Sequence, residues 1–275
     1  MVKPTNDKYY TSPLFVEQCL NSLDFSKYDL IFEPSAGCGS FLSRLPKNKS
    51  VGIDISPDLE NIIKLDFYSI PKVINALDLQ TNPDKKYLSI GNPPFGYAAA
   101  MAIDFFNGCA MFSDTIAFIV PRTFRKTSVT NQLDLYFHKS FEIIAPKNSF
   151  LIMDPTSETL TSEYDVPCVF QVWNKGDTKR EKIKSITKCE HFDFVDKRQD
   201  ADFALRRVGV AAGKTFDKDS VAKQSHHFIK SKLKNCRQIF DSIEWGEDSA
   251  KYDTAGNPSL SKEELILAFI EQMNK

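Results

Sequence analysis

The sequence predicts an α/β domain built on a mostly parallel sheet with helices on both faces. Three observations carry that expectation: short apolar runs alternate with segments of helical spacing, the first run opens into a glycine turn, and successive runs end in acidic side chains. At 275 residues, with 42% hydrophobic and 26% charged side chains, the chain is long enough to bury a sizeable core and is not of disordered composition.

Taken in order, Thr11 or Ser12 caps a helix that starts at Pro13 and places Leu14, Phe15, Cys19, Leu20 and Leu23 at helical spacing. Residues 28–33 form the first strand, ending in Glu33. Pro34-Ser35-Ala36-Gly37-Cys38-Gly39 follows, then a helix, the order that opens nucleotide-binding α/β domains. Gly37 and Gly39 permit positive φ and a close approach of backbone to a ligand. A second strand over 50–55 carries Asp54, placed to accept ribose hydroxyls, and a third run over 62–67 carries Asp66 beside Phe67. Residues 71–79 read as helix, 87–90 as a fourth strand, 98–112 as an apolar helix and 115–120 as a fifth strand. A helix over 131–137 and strands over 141–144 and 166–173 complete seven strands.

The pattern changes after Trp173. A polar stretch over 174–180 marks a boundary between a domain over 1–174 and an α/β or mostly helical extension over 175–275. Net charge runs from about −4 over 1–174 to about +8 over 175–238 and about −5 over 239–275. The basic block is either solvated surface or a footprint for a polyanion. Within it, Arg206-Arg207 precedes Val208-Gly209-Val210-Ala211-Ala212-Gly213-Lys214, whose glycines stand too close for a phosphate loop; His226-His227 reads as a packed or exposed pair. Near the end, Ser261 and Glu264 have capping-box spacing before Leu265, Phe269 and Met273.

Six scattered cysteines without a Cys-x-x-Cys pair suggest free thiols, and no metal site is expected. With no apolar leader and no run of about 20 apolar residues, an intracellular, soluble protein of cytoplasm or nucleus is expected.

The chemistry concentrates in Ile90-Gly91-Asn92-Pro93-Pro94-Phe95-Gly96. A buried strand delivers into one stiff loop a side-chain amide, a Pro93 carbonyl and an aromatic face. Alone this is equally a proline turn. Together with the Gly-x-Gly turn and three strand-end acids, it resembles the class I S-adenosylmethionine-dependent methyltransferases, and among them those that modify N6 of adenine in DNA or RNA. The resemblance covers residues 8 to about 173.

It implies a Rossmann-like methyltransferase fold, S-adenosyl-L-methionine as cofactor and nucleic acid as substrate. Asn92, Pro93 and Phe95 would act on the target base, with Pro94 beside them. Tyr10, Thr11, Glu33, Gly37, Gly39, Asp54, Asp66 and Phe67 would hold the cofactor, although Ser12 separates Thr11 from Pro13 where the family has Tyr-Thr-Pro. From the residues, Arg122, Arg125 and Lys126 after the fifth strand, and Arg206 and Arg207, are candidate contacts to phosphate. DNA is favoured over RNA because of the Tyr-Thr-x-Pro segment and the basic extension. A non-catalytic nucleic-acid-binding subunit and a protein-glutamine methyltransferase remain alternatives. A nicotinamide oxidoreductase is disfavoured, since Leu42 replaces the third glycine and Asp54 comes early.

Overall fold

The computed structural model describes residues 10–69, 72–73, 84–153, 160–161, 167–254 and 256–275. The chain forms two compact units, Met1–Phe124 with Ser128–Lys182, and Arg125–Thr127 with Ile183–Lys275. Most of the helix expected over 71–79 lies outside the described residues.

The first unit contains β1 (Tyr10–Thr11), α1 (Pro13–Leu20), β2 (Leu30–Glu33), β3 (Ser50–Asp54), β4 (Ile63–Lys64), β5 (Tyr87–Gly91), α2 (Ala100–Ala110), β6 (Thr115–Pro121), β7 (Phe137–Ile144), β8 (Phe150–Met153), β9 (Leu160–Thr161) and β10 (Cys168–Lys175). Its main sheet has the order β4-β3-β2-β5-β6-β10-β7. The pairs from β4 to β6 are parallel, and β10 runs antiparallel to both β6 and β7. This is the α/β architecture, a mostly parallel seven-stranded sheet with helices on both faces, that the alternation of strands and helices led us to expect.

Period-2 alternation covers both faces of the sheet. On β6, Ile116, Phe118 and Val120 face a core that includes Phe105 and Phe106 of α2, while Ala117 and Ile119 face Phe15, Val16 and Cys19 of α1. Such strands are apolar throughout because neither face meets water. Ser12 caps α1, its hydroxyl accepting from the Phe15 N–H at 3.4 Å, with Pro13 at the first position. A separate small sheet pairs β1 with β8 and β8 with β9.

Two expected helices are absent, each for a local reason. After the glycine turn only a 3₁₀ turn, Leu42–Arg44, forms. The Leu42 N–H is taken by the Glu33 carboxyl at 2.9 Å, and Pro46 leaves no room for a longer helix. Over 131–137 the Asp134 side chain accepts from the Tyr136 N–H at 2.8 Å, a local turn that sends the chain into β7 at Phe137, earlier than expected.

The second unit is a four-stranded antiparallel sheet, β11 (Phe192–Val195), β12 (Phe203–Arg206), β13 (Thr215–Phe216) and β14 (His226–Ser231), in the order β11-β14-β12-β13. Helices α3 (Cys236–Asp241) and α4 (Lys262–Met273) contribute Phe240, Leu265 and Phe269 to a core with Phe192, Phe203 and Ile229. The Ser261–Glu264 capping box opens α4. All six cysteines are free. Among the described residues no helix is long and apolar enough to cross a membrane, and no cluster of His, Cys, Asp or Glu is placed to hold a metal ion.

Candidate active site

Parallel pairing puts the ends of β2, β3 and β5 on one edge of the sheet. The chain leaves β2 in one direction toward β3 and later returns on its other side as β5. Crevices at such a switch point are where open α/β sheets bind ligands. Here the two strand ends nearly touch: a Cβ on Gly91 would stand 3.1 Å from Cγ of Glu33, and Gly91 has φ +146°. Only glycine fits that position. The Ser35 hydroxyl completes the junction by donating to the Asn92 carbonyl at 3.3 Å.

The Asn92 side chain is held from another direction. Its Nδ2 donates to Oγ1 of Thr11 at 3.3 Å. Thr11 is itself buried in β1, where it pairs with Phe150. Tyr10 precedes it and donates its phenol to Asp58 at 3.2 Å; burial first, then Asp58, pushes that phenol up to about 12. Thus the N-terminal segment and the loop after β5 are in hydrogen-bond contact.

Glu33 is 2% exposed and accepts the Leu42 N–H. Burial pushes its carboxyl well above the usual carboxylate range, outweighing the Leu42 hydrogen bond, which lowers it. Its place is beneath the glycine turn rather than on the surface of the crevice. Asp54 organises that turn: Oδ2 accepts from the Gly37 N–H and Oδ1 from the Ser56 N–H, both at 2.8 Å. A carboxylate has about four acceptor positions, so capacity for hydroxyl donors remains. Gly37 has φ +49° and a Cβ there would meet nothing within 4 Å, leaving open space above the turn.

Asp66 is exposed and accepts the Tyr68 N–H at 3.0 Å. Phe67, expected against a cofactor ring, instead turns inward. It is 4% exposed and stacks on Phe105 with centroids 4.1 Å apart. The aromatic ring left at the surface beside Asp66 is Tyr68, 51% exposed.

Pro93 is buried, and Pro94 and Phe95 are half-buried. Phe95 packs against both cores of the unit, which anchors the loop. The freely presented ring is Tyr97, 94% exposed. It sits in a stretch where Gly96, Ala98 and Ala99 all have positive φ, +66°, +50° and +66°. Left-handed backbone at two alanines costs on the order of 1–3 kcal/mol each and is concentrated at functional sites. Gly91, Tyr68 and Tyr97 were not singled out from the sequence. For Gly91 the signal was available, a glycine between a buried strand and a proline loop.

The candidate phosphate contacts after β6 are largely committed to partners inside the protein. Arg122 is 7% exposed, so it does not present its guanidinium to a polyanion. Arg125 donates to Asp253 at 2.8 Å and to the Asp248 carbonyl at 3.1 Å, and Lys126 pairs with Glu264 at 2.9 Å, all within the second unit. Arg206 braces a turn through the Val208 carbonyl at 2.9 Å. Arg207 alone of these is exposed.

No family model and no curated protein matches the chain. Solved structures do resemble it. An assigned RNA methyltransferase from Pyrococcus horikoshii is 15% identical, with 62% of this chain and 87% of that one covered, at a TM-score of 0.39. The 23S rRNA methyltransferase ErmE is 10% identical over 62% and 71%, at 0.37. The modification subunit of an assigned type I restriction enzyme from Vibrio vulnificus is 13% identical over 98% of this chain and 62% of that one, at 0.40. At such identities and scores the functional reading is left to the side chains of the site.

Proposed function

We propose that this chain transfers a methyl group from S-adenosylmethionine to N6 of adenine in nucleic acid, with DNA favoured over RNA. The observation that carries the reading is the Asn92–Phe95 loop at the switch point of the sheet, its amide gripped by Thr11 and its approach made possible by Gly91.

The residues present fit the cofactor. Asp54 has acceptor capacity for ribose hydroxyls, Asp66 is exposed for an exocyclic amine, and the turn at Gly37 is open. Glu33 supports the turn from below, and Tyr68 rather than Phe67 is the ring available to an adenine. Bound there, S-adenosylmethionine supplies an electrophilic methyl group on sulfur.

The chain's own part is to prepare the nucleophile. The N6 lone pair of adenine is delocalised into the ring, so the amine attacks poorly. With Thr11 taking the amide NH₂, the Asn92 oxygen and the Pro93 carbonyl accept the two N6 hydrogens. Two acceptors favour pyramidal nitrogen and take up the positive charge that develops on it. A rigid loop holds this geometry in advance, so alignment contributes much of the rate. Because N6 is paired inside a duplex, the base is flipped out or comes from a single strand. Tyr97, nearly fully exposed, supplies a ring on which the base stacks, while Phe95 secures the loop.

The substrate is tested by incubating the protein with methyl-labelled cofactor and matched DNA and RNA pools, then digesting and quantifying N6-methylated nucleosides of each sugar type. Label in deoxyadenosine is expected. Label in RNA alone overturns the DNA preference, and label on protein glutamine overturns the substrate class.

A further inference from the structure

The second unit contains a cavity of about 410 Å³ that the methyl-transfer chemistry does not use. Phe194, Arg207, Lys223, Gln224, His227 and Lys262 contribute to its lining. Its size is in the range of small-ligand sites. Three cations and one carboxylate, Asp196, line it, and among the described residues none of the three cations has a carboxylate within 4 Å. Elsewhere in the same unit three lysines are neutralised by carboxylates, Lys230 by Asp202, Lys232 by Asp193 and Lys126 by Glu264.

The cavity is also pre-arranged. The Lys262 ammonium lies 5.1 Å from the centre of the Phe194 ring, and the His227 ring meets Phe194 nearly edge to face at 5.3 Å. One aromatic ring thereby orients a cation and an imidazole. Arg207 is exposed and donates from Nε to the Gln224 carbonyl at 3.0 Å, which leaves its two terminal nitrogens without a use in that bond. No hydrogen bond from the described residues reaches the His227 ring nitrogens. Burial, then Lys262 and Arg207, pushes this imidazole down to about 4, so at neutral pH it keeps one donor and one acceptor. Beside it His226 is 6% exposed. Its Nδ1 is within 3.0 Å of the Ala222 carbonyl, and its Nε2 has no hydrogen-bond partner.

Cations without counter-charges beside neutral hydrogen-bonding groups match a phosphate joined to a base. Resting on the nucleic-acid reading above, we infer that this cavity holds one nucleotide of a polynucleotide strand, its phosphate against Arg207, Lys223 and Lys262 and its base edge against His227 and Gln224. A neutral imidazole and a side-chain amide each offer a donor and an acceptor to a base edge, which phosphate contacts alone cannot do.

The test is binding of 5′-labelled single-stranded 20-mers, DNA and RNA, to the full chain without cofactor, followed by fluorescence anisotropy across salt concentrations. The double variant Arg207→Ala, Lys262→Ala is expected to bind at least tenfold more weakly at 0.1 M salt. Its log K against log salt slope should be shallower by about 1.4, two phosphate contacts at about 0.7 each. Lys234→Ala, an exposed charge outside the cavity, should change affinity less than twofold. Acetylation footprinting of the unmutated protein is independent of variant folding: bound oligonucleotide should protect Lys223 and Lys262 but not Lys234. Unchanged binding by the double variant, or no protection, overturns the assignment, as does saturation by free nucleoside monophosphates without effect on oligonucleotide binding. If methyl transfer to nucleic acid occurs while the cavity variants bind normally, this site alone fails. If the cavity binds strands but no methyl is transferred, the enzymatic reading alone fails.

Discussion

Two groups of basic side chains look alike in the sequence and differ in the folded protein. Arg125 and Lys126 are spent on Asp253 and Glu264, with side chains 24% and 21% exposed against partners 8% and 13% exposed. Arg207, Lys223 and Lys262 surround a cavity with a single acid. The difference teaches that a cation's availability is set by partners more than a hundred residues away. Charge counted along the chain marks a basic region but not which of its members are uncommitted.

The largest expected effect separates the two groups by stability. Arg125→Ala breaks an ion pair to a carboxylate that is almost fully buried, and loss of one partner of such a pair costs about 3–5 kcal/mol. Urea unfolding of the full chain measures it; a loss below about 1 kcal/mol would place Arg125 with the uncommitted cations. Lys126→Ala removes a partly buried pair and should cost about 2 kcal/mol. Arg207→Ala should change stability by no more than about 0.5 kcal/mol, its cost falling on strand binding.

A smaller effect reads the open group directly. The His227 imidazole, pushed down to about 4 by burial and then by Lys262 and Arg207, should titrate upward in Lys262→Ala. With four histidines in the chain, NMR can follow each one. The sign on stability follows from linkage. The unfolded imidazole takes its proton near 6.5 and the folded one only near 4, so this group costs stability as pH falls from about 6.5 to about 4 and nothing above that window. His227→Gln should flatten stability across that window; an unchanged profile would show that the ring is not held as described.

Much of the first unit was legible because its signals are local. Short apolar runs placed β2, β3, β5, β6 and β10, and the Ser-Pro spacing placed the start of α1, as the Ser-x-x-Glu spacing did for α4 in the second unit. The missing helix after the glycine turn was illegible because its cause is a hydrogen bond from Leu42 to Glu33 at the end of the preceding strand. Phe67 and Tyr68 exchanged exposure for a similar reason. Adjacent aromatics read alike in sequence, and only packing against Phe105 decides which one faces the core. Tyr97 was hidden because two alanines adopt positive φ beside it, a strained backbone that propensity argues against.

The central claim is that the Asn92 amide, set by Thr11, grips the amine that receives the methyl group. Its most direct test compares the unmutated chain with Asn92→Ala, using labelled cofactor and adenine-containing nucleic acid, with cofactor affinity measured in parallel by calorimetry. The account predicts N6-methylated adenine from the unmutated chain, a fall of about 10²–10³-fold in turnover for the variant, and cofactor affinity within about twofold. Near-normal turnover by Asn92→Ala, or methyl recovered on another atom, would contradict it.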